Sequence, residues 1–432
     1  MRLKMGTFHI TSVEECQKTS LEKGVLRLNT SELQALILQD ETILEVRIEL
    51  VYPGESARIV HVLDAVEPRV KVEGPSCCFP GFLGLPLTAG HGTTHRLTGV
   101  AVLAISTEVY KPAETDVLSC HEGIIEMSGP GQDRCTCSDT INVCLCLRVR
   151  PNTSSPEFDT ATRMAMLKAA DYIARTTVNQ TPDSVEEFEA GNADPDLPRV
   201  AYINQIQSQS LLCRTYLYGM PMEGFYTTTL LDPTELLDGA VVNSNLRNQL
   251  RACTYMQQNN FVVLELFKRH RKDLNFVGMV MSRGHYDDNP MKVRSGNYAA
   301  KLAKLMNAQA AILTIEGTGN ANVDYMATVK ALENASIIAV PIAHEFGGPK
   351  GDDEPLFEFP PEAVSVVSGG GVDRFIELPA VNRVVGGATM SFSDASVSFK
   401  ELDPKAALRA SAHYFFCGFR SLQTHAFRAM EF

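Results

Sequence analysis

Four short segments set glycines beside side chains that can donate, accept or hold charge: Ser282-Arg-Gly-His285, Glu316-Gly-Thr-Gly-Asn-Ala-Asn-Val-Asp324, His344-Glu-Phe-Gly-Gly348 and Ser368-Gly-Gly-Gly371. Each follows an apolar run. Gly317 and Gly319 permit close backbone approach and left-handed φ angles, while Glu316, Asn320, His344 and Glu345 supply donors and acceptors. Such a set suits a small zwitterion, whose ammonium needs acceptors and whose carboxylate needs N–H groups. A single loop of this kind is more readily a helix-starting turn; several together favour a binding rim. A dinucleotide site is disfavoured, because Gly317-Thr-Gly319 lacks the third fingerprint glycine and no glycine loop is followed by the lysine of a phosphate-binding loop.

The thiols offer other chemistry. Cys253 follows Arg247 and Arg251, which would stabilise its thiolate if they face it, so it is a candidate nucleophile; the alternative is a buried helix thiol. Cys120-His121, Cys135-Thr-Cys137 and Cys144-Leu-Cys146 are soft donors of the kind that hold zinc or an iron–sulfur cluster. Their C-x-C spacing is not the C-x2-C knuckle, and Cys144 and Cys146 lie in an apolar run, so buried core thiols are expected and no metal is assigned. A cysteine-ligated metalloprotein stays as a second alternative. His91-Gly-Thr-Thr-His95 could bring two imidazoles together for metal binding or proton transfer, although a histidine near a strand start is more often structural.

The elements that must position these residues fall into an α/β pattern of two kinds. Over residues 1–150, runs such as Ile43 to Val51, Ala57 to Leu63, Gly99 to Ile105 and Asn142 to Val149 recur between turn formers, several with period-two alternation, which predicts a β-rich domain. Residues 151–198 read as a helical and acidic connector: an amphipathic helix over Glu157 to Thr177, then a polar stretch with prolines. Over 199–432 the apolar runs at Arg199, Phe225, Phe276, Ala310, Ile337 and Val364 are mostly separated by helix-like stretches, which predicts a doubly wound, mostly parallel α/β domain. Ala406 to Met430 reads as a terminal helix or helix pair. In open parallel sheets ligands bind outside the carboxyl ends of the strands, where the four glycine segments fall.

The 432 residues are 44% hydrophobic, enough for two or three cores, and the formal net charge of −12 with scattered basic residues disfavours a nucleic-acid partner. No run approaches a membrane span and no export signal is seen, so a cytoplasmic location is expected. The eleven cysteines then favour reduced thiols.

Over most of its length the chain resembles the component B proproteins of the glycine, sarcosine and betaine reductases. The resemblance rests on Pro53-Gly-Glu-Ser-Ala-Arg58, Glu67-Pro-Arg-Val-Lys-Val-Glu-Gly74, Phe79-Pro-Gly-Phe82, Thr94-His95, Glu122 to Gly131, Asp196 to Tyr202, Tyr216-Leu-Tyr-Gly219, Pro233-Thr-Glu235, Asp238-Gly-Ala240, Lys268 to Gly278 and the Glu316 to Asn320 loop. It implies reductive C–N cleavage of a small amino acid or N-methylated relative, within a complex whose larger subunit bears a redox-active selenocysteine or cysteine. It also implies a pyruvoyl cofactor, made when an Asn-Cys bond of the proprotein breaks. By the same resemblance His95, Asn259 and Asn260 join the candidate site residues, with Cys253, Glu345, Glu316, Gly317, Gly319, Asn320 and His344.

The pattern departs at its reactive position. Asp238, Gly239, Ala240, Asn245, Tyr255, Asn259 and Asn260 match, but Leu246 stands where the family has its cysteine. Leucine has no nucleophile to attack the preceding carbonyl, so a pyruvoyl group is available only through processing at Cys253. The expected function is therefore a component B-like subunit of an amino-acid reductase, in an oligomeric complex. The alternative is an unprocessed homologue with a binding or scaffold role, or with different chemistry.

Overall fold

The computed structural model describes residues 1–108, 123–208, 214–224, 227–244, 251–317, 319–345, 347–348, 359–371, 375–392, 400–411, 414–418 and 428–431. Asn245, Leu246, Arg247, Cys120 and His121 lie outside the described residues.

Two four-stranded sheets form the amino-terminal part. One runs Ser184–Phe188, Leu3–His9, Gly92–Thr98, Arg69–Glu73; the other Ile43–Val51, Ile141–Val149, Val100–Ser106, Val62–Val66. The Ala57 to Leu63 run is broken into two strands, with His61 at a φ of 57° between them. The helix Ser155–Ala174 starts where Glu157 Oε2 accepts from Ser154 N at 3.0 Å and Pro156 fixes the first turn. Its small buried side chains, among them Ala161, Ala165, Ala169 and Ala170, share one core with Val66, Val102 and Val143. The helix thus belongs to the amino-terminal layers. So does the Ser184–Phe188 strand, which pairs antiparallel with Leu3–His9 although its composition reads as a surface connection.

The carboxyl-terminal sheet has seven strands in the spatial order Thr229–Leu231, Asn275–Arg283, Arg199–Ile206, Ala310–Ile315, Ile338–Glu345, Ser365–Gly371, Arg428–Glu431. The five central strands are parallel and the two edges antiparallel. Helices cover both faces. Asn289–Leu305 and Asn320–Asn334 share a core with Ala201, Ile203 and Leu313, whereas Phe261–Arg269 packs with Tyr202, Phe276 and Met279 on the other side. Leu3, Met5 and Phe188 enter that second core, so an amino-terminal sheet closes one face of the α/β sheet.

Counted along the chain, the five parallel strands stand in the order 2-1-3-4-5. The direction of winding reverses between Arg199–Ile206 and Ala310–Ile315, and that reversal opens a crevice at their carboxyl ends. Ile206-Gln207 and Ile315-Glu316-Gly317 stand there.

The described residues of the tail form strands where a terminal helix was expected. Leu408–Ser411 pairs antiparallel with Phe375–Leu378, and Arg428–Glu431 adds an edge to the large sheet. Alternate burial of Leu408 and Ala410 about exposed Arg409 is a strand period that overrides the helix-favouring composition. Arg383–Val385 pairs with Ala57–Ile59, and Phe415, Phe416 and Cys417 enter a core with Ile59, Leu103 and Cys144. The end of the chain therefore crosses back to the amino-terminal layers.

Candidate functional site

The crevice is organised around Glu316. Its carboxylate, 2% exposed, accepts from Gln207 N at 3.1 Å, Ala252 N at 3.2 Å and Gln257 Nε2 at 2.9 Å, with Arg251 Nε at 3.9 Å. Burial raises its pKa to about 7, against the opposing pull of Arg251. Glu316 thus binds the segment Arg251 to Gln258 to the large sheet. From the amino-terminal layer, Asp64 receives Thr254 N at 2.9 Å and Thr254 Oγ1 at 2.5 Å. Its pKa also rises to about 7 through burial.

Polar links continue across this face of the sheet. Asn204 Nδ2 donates to Gln257 Oε1 at 3.2 Å, Thr314 Oγ1 to Asn204 Oδ1 at 3.3 Å, and Tyr202 and Thr314 hydroxyls lie 2.6 Å apart. Asn260 Nδ2 donates to Tyr202 OH at 3.1 Å, while Asn260 Oδ1 caps the Phe261–Arg269 helix by accepting from Val263 N at 3.2 Å. Asn259 Oδ1 accepts from buried Arg69 at 2.7 Å. The Asn259-Asn260 pair therefore anchors elements of the fold.

Cys253 is the N-cap of the short helix Thr254–Gln258 and is fully buried, with Cys137 and Cys417 in the same core. Burial drives the Cys137 and Cys417 thiols well above the ordinary range. Arg251 reaches Thr215 Oγ1 at 2.6 Å and stands 3.9 Å from Glu316, its charge partner. The carbonyl before Cys253, that of Ala252, accepts from Asn243 Nδ2. Cys135, Cys144 and Cys146 are buried too, and among the described residues no three His, Cys, Asp or Glu side chains are placed to share one metal ion.

The opposite side of the rim is the glycine loop. Gly317 has φ +87°, and a Cβ there would meet His285 Nε2 at 2.9 Å and Gln207 Oε1 at 3.0 Å. Gly319, φ +57°, is the N-cap of Asn320–Asn334 and offers no side-chain cap to the helix's first N–H groups. Asn320 Nδ2 donates to Tyr286 O at 3.2 Å. The neighbouring loop is held by Asp324, which accepts from His285 N at 3.1 Å and pairs with Lys292 Nζ at 2.6 Å.

Of the sequence-predicted residues, Glu316, Gly317, Gly319 and Asn320 are thus together on one loop, and Cys253 is in the segment that Glu316 holds, whereas Asn259 bonds Arg69 and Asn260 bonds Tyr202. His344 and Glu345 end the next parallel strand, where Glu345 accepts from Ser368 Oγ. His95 is elsewhere: it lies in the Gly92–Thr98 strand against Phe8, its Nδ1 3.2 Å from Thr177 O, and burial lowers its pKa. Sequence reasoning missed Asp64, Gln207, Asn243 and Gln257. A lone acid inside Val62-Leu-Asp-Ala-Val66, and an amide just past the apolar run ending at Ile206, were the available signals.

Comparison with known proteins places the chain in a family. The family described as glycine/sarcosine/betaine reductase component B subunits matches residues 1–425. The chain is 36% identical over 396 residues to the sarcosine reductase complex component B subunit alpha of Peptoclostridium acidaminophilum, covering 89% of each chain. It is 35% identical over 399 residues to the glycine reductase complex component B subunits alpha and beta of Acetoanaerobium sticklandii, again 89% of each. It is 32% identical over 399 residues to the betaine reductase complex component B subunit alpha of P. acidaminophilum, covering 89% of this chain and 88% of that one. No solved structure matches the chain. Motifs, length and whole-chain similarity agree, and the chain belongs to the glycine/sarcosine/betaine reductase component B subunit family.

Proposed function

We propose that this chain is the component B-type subunit of an amino-acid reductase, binding a small amino acid or N-methylated relative at the crevice between Glu316 and the Gly317 to Asn320 loop. Reductive C–N cleavage would be completed with a larger subunit bearing a redox-active selenocysteine or cysteine, the partner that the sequence resemblance implies; the relatives' names support membership of a reductase complex. The observation behind this reading is the position of Glu316: a buried carboxyl at the switch point of a parallel sheet, tied by hydrogen bonds to the segment around Cys253.

A pyruvoyl group supplies a ketone electrophile and electron sink. With Leu246 at the family's cysteine position, its formation would fall to Cys253, a thiol being a better nucleophile than the Ser244 hydroxyl. Asn243 polarises the Ala252 carbonyl, and Asp64 holds the following amide through Thr254. The thiol itself is packed in an apolar core. We therefore propose that the chain acts uncleaved, contributing substrate binding to the complex.

Calorimetric titration of the purified chain with glycine, sarcosine and betaine tests the binding role. Saturable binding of at least one, lost in a folded Gly317→Val variant, is expected. A folded chain that binds none of the three overturns it.

A further inference from the structure

Gln207 is the most conspicuous polar side chain at the rim. It follows the Arg199–Ile206 strand at the switch point, is 2% exposed, and is fixed through its backbone by Glu316. Its side-chain Oε1 is fully buried and has no hydrogen-bond partner among the described residues. A buried amide oxygen without a donor is a large desolvation cost, which folded proteins avoid unless something else occupies the place.

The surroundings say what would fit. His285 Nε2, Gln207 Oε1 and Ala321 Cβ lie 2.9, 3.0 and 3.2 Å from the same point, the place a Cβ on Gly317 would take. The acceptor therefore stands beside the start of the Asn320–Asn334 helix. Gly319 gives that start no side-chain cap, and among the described residues no atom beyond its chain neighbours lies within 4 Å of where a Gly319 Cβ would stand. On the helix's first turn, Asn322 Nδ2 is a second buried polar atom without a partner among the described residues. An orphaned acceptor thus stands beside the loop that leads into the helix, and an orphaned side-chain donor lies on the helix's first turn. The complementary ligand has an N–H at one end and an anion at the other.

We infer that Gln207 is the specificity-determining residue of the rim: its Oε1 receives an N–H of the substrate's ammonium group, while the substrate carboxylate lies at the first turn of Asn320–Asn334. This rests on the reading of the rim as an amino-acid site and adds a rule to it. The site selects primary, secondary or tertiary ammonium carboxylates, which keep at least one N–H, over a quaternary ammonium, which has none. A quaternary nitrogen would leave Oε1 unsatisfied and press methyl groups against it, which is a penalty as well as a lost bond.

A methylation ladder reads this directly. The intact chain is titrated with glycine, sarcosine, N,N-dimethylglycine and betaine, whose ammonium groups offer three, two, one and no N–H. The expected result is a break at the last step, betaine binding weaker than N,N-dimethylglycine by roughly tenfold or more. Gln207→Met, similar in length and without the acceptor, should erase that break. Gln207→Glu, which keeps an acceptor oxygen, should restore it; circular dichroism confirms that each variant is folded. If betaine binds as well as the N–H-bearing ligands, or Gln207→Met keeps the preference, the inference is overturned while the amino-acid site stands. It is likewise overturned if an ordered water satisfies the amide and the variants leave all four affinities unchanged. If none of the four binds the folded chain, the amino-acid reading itself falls, and this inference with it.

Discussion

Asp64 and Glu316, one from the amino-terminal layer and one from the large sheet, hold the same turn on either side of Cys253. Asp64 takes the amide and hydroxyl of Thr254, and Glu316 takes the amide of Ala252 and the side chain of Gln257. The segment is thereby fixed to two sheets by two buried carboxyl groups.

Both groups move upward in pKa, from 3.8 and 4.5 to about 7, because burial disfavours the charged form. The folded state therefore holds protons that the unfolded chain releases between about pH 4 and pH 7. Their contribution to stability is full below the lower limit, falls as pH rises through this window, and is flat above it. Urea denaturation at pH 5, 6, 7 and 8 should show a midpoint that declines more steeply in the native chain than in an Asp64→Asn, Glu316→Gln variant. Equal slopes would mean that neither group titrates as described.

Asp238, in the family's Asp-Gly-Ala motif, is placed as a structural anchor. Fully buried, it pairs with Lys71 and accepts from Gly90 N at 2.8 Å and Thr94 Oγ1 at 2.6 Å, joining the large domain to an amino-terminal sheet. Asp238→Ala leaves the buried Lys71 ammonium uncompensated and should destabilise by roughly 3–5 kcal/mol. Chemical denaturation checks this, and a loss under about 1 kcal/mol would contradict the burial of the pair.

Gly296 sits mid-helix in Asn289–Leu305 against the backbone of the Asn320–Asn334 helix. A Cβ there would meet Ala327 O at 2.8 Å and Thr328 N at 2.9 Å. Gly296→Ala, normally favourable in a helix, should instead destabilise by roughly 1–3 kcal/mol through overpacking. Thermal melts of the two proteins decide the sign.

Processing is read by mass. With no nucleophile at Leu246 and Cys253 enclosed in a core, the protein under denaturing conditions should give one 47.4 kDa species. Cys253→Ser should leave that mass pattern unchanged. Two fragments summing to the whole would show that Ala252–Cys253 breaks, and would bring a pyruvoyl group back into the function.

Much of this architecture was legible locally. Continuous apolar runs at Arg199, Phe276, Ala310, Ile337 and Val364 mark strands buried on both faces, and the glycine loop after Ile315 marks the turn from a strand end into a helix, because parallel strands and helix starts impose those patterns on neighbouring residues. The family motifs and the leucine at 246 were likewise plain in the sequence. Only the tertiary structure decided what those residues touch. Asp64 meets Thr254 across 190 residues, Asn260 proves to be a helix cap, His95 stands apart from the rim, and the tail forms strands by pairing with distant partners. Gln207, an ordinary amide in the sequence, becomes notable only because its strand end is buried beneath Gly317. Burial and long-range pairing set the charge of a carboxyl and the needs of an amide, and neither leaves a local periodicity to read.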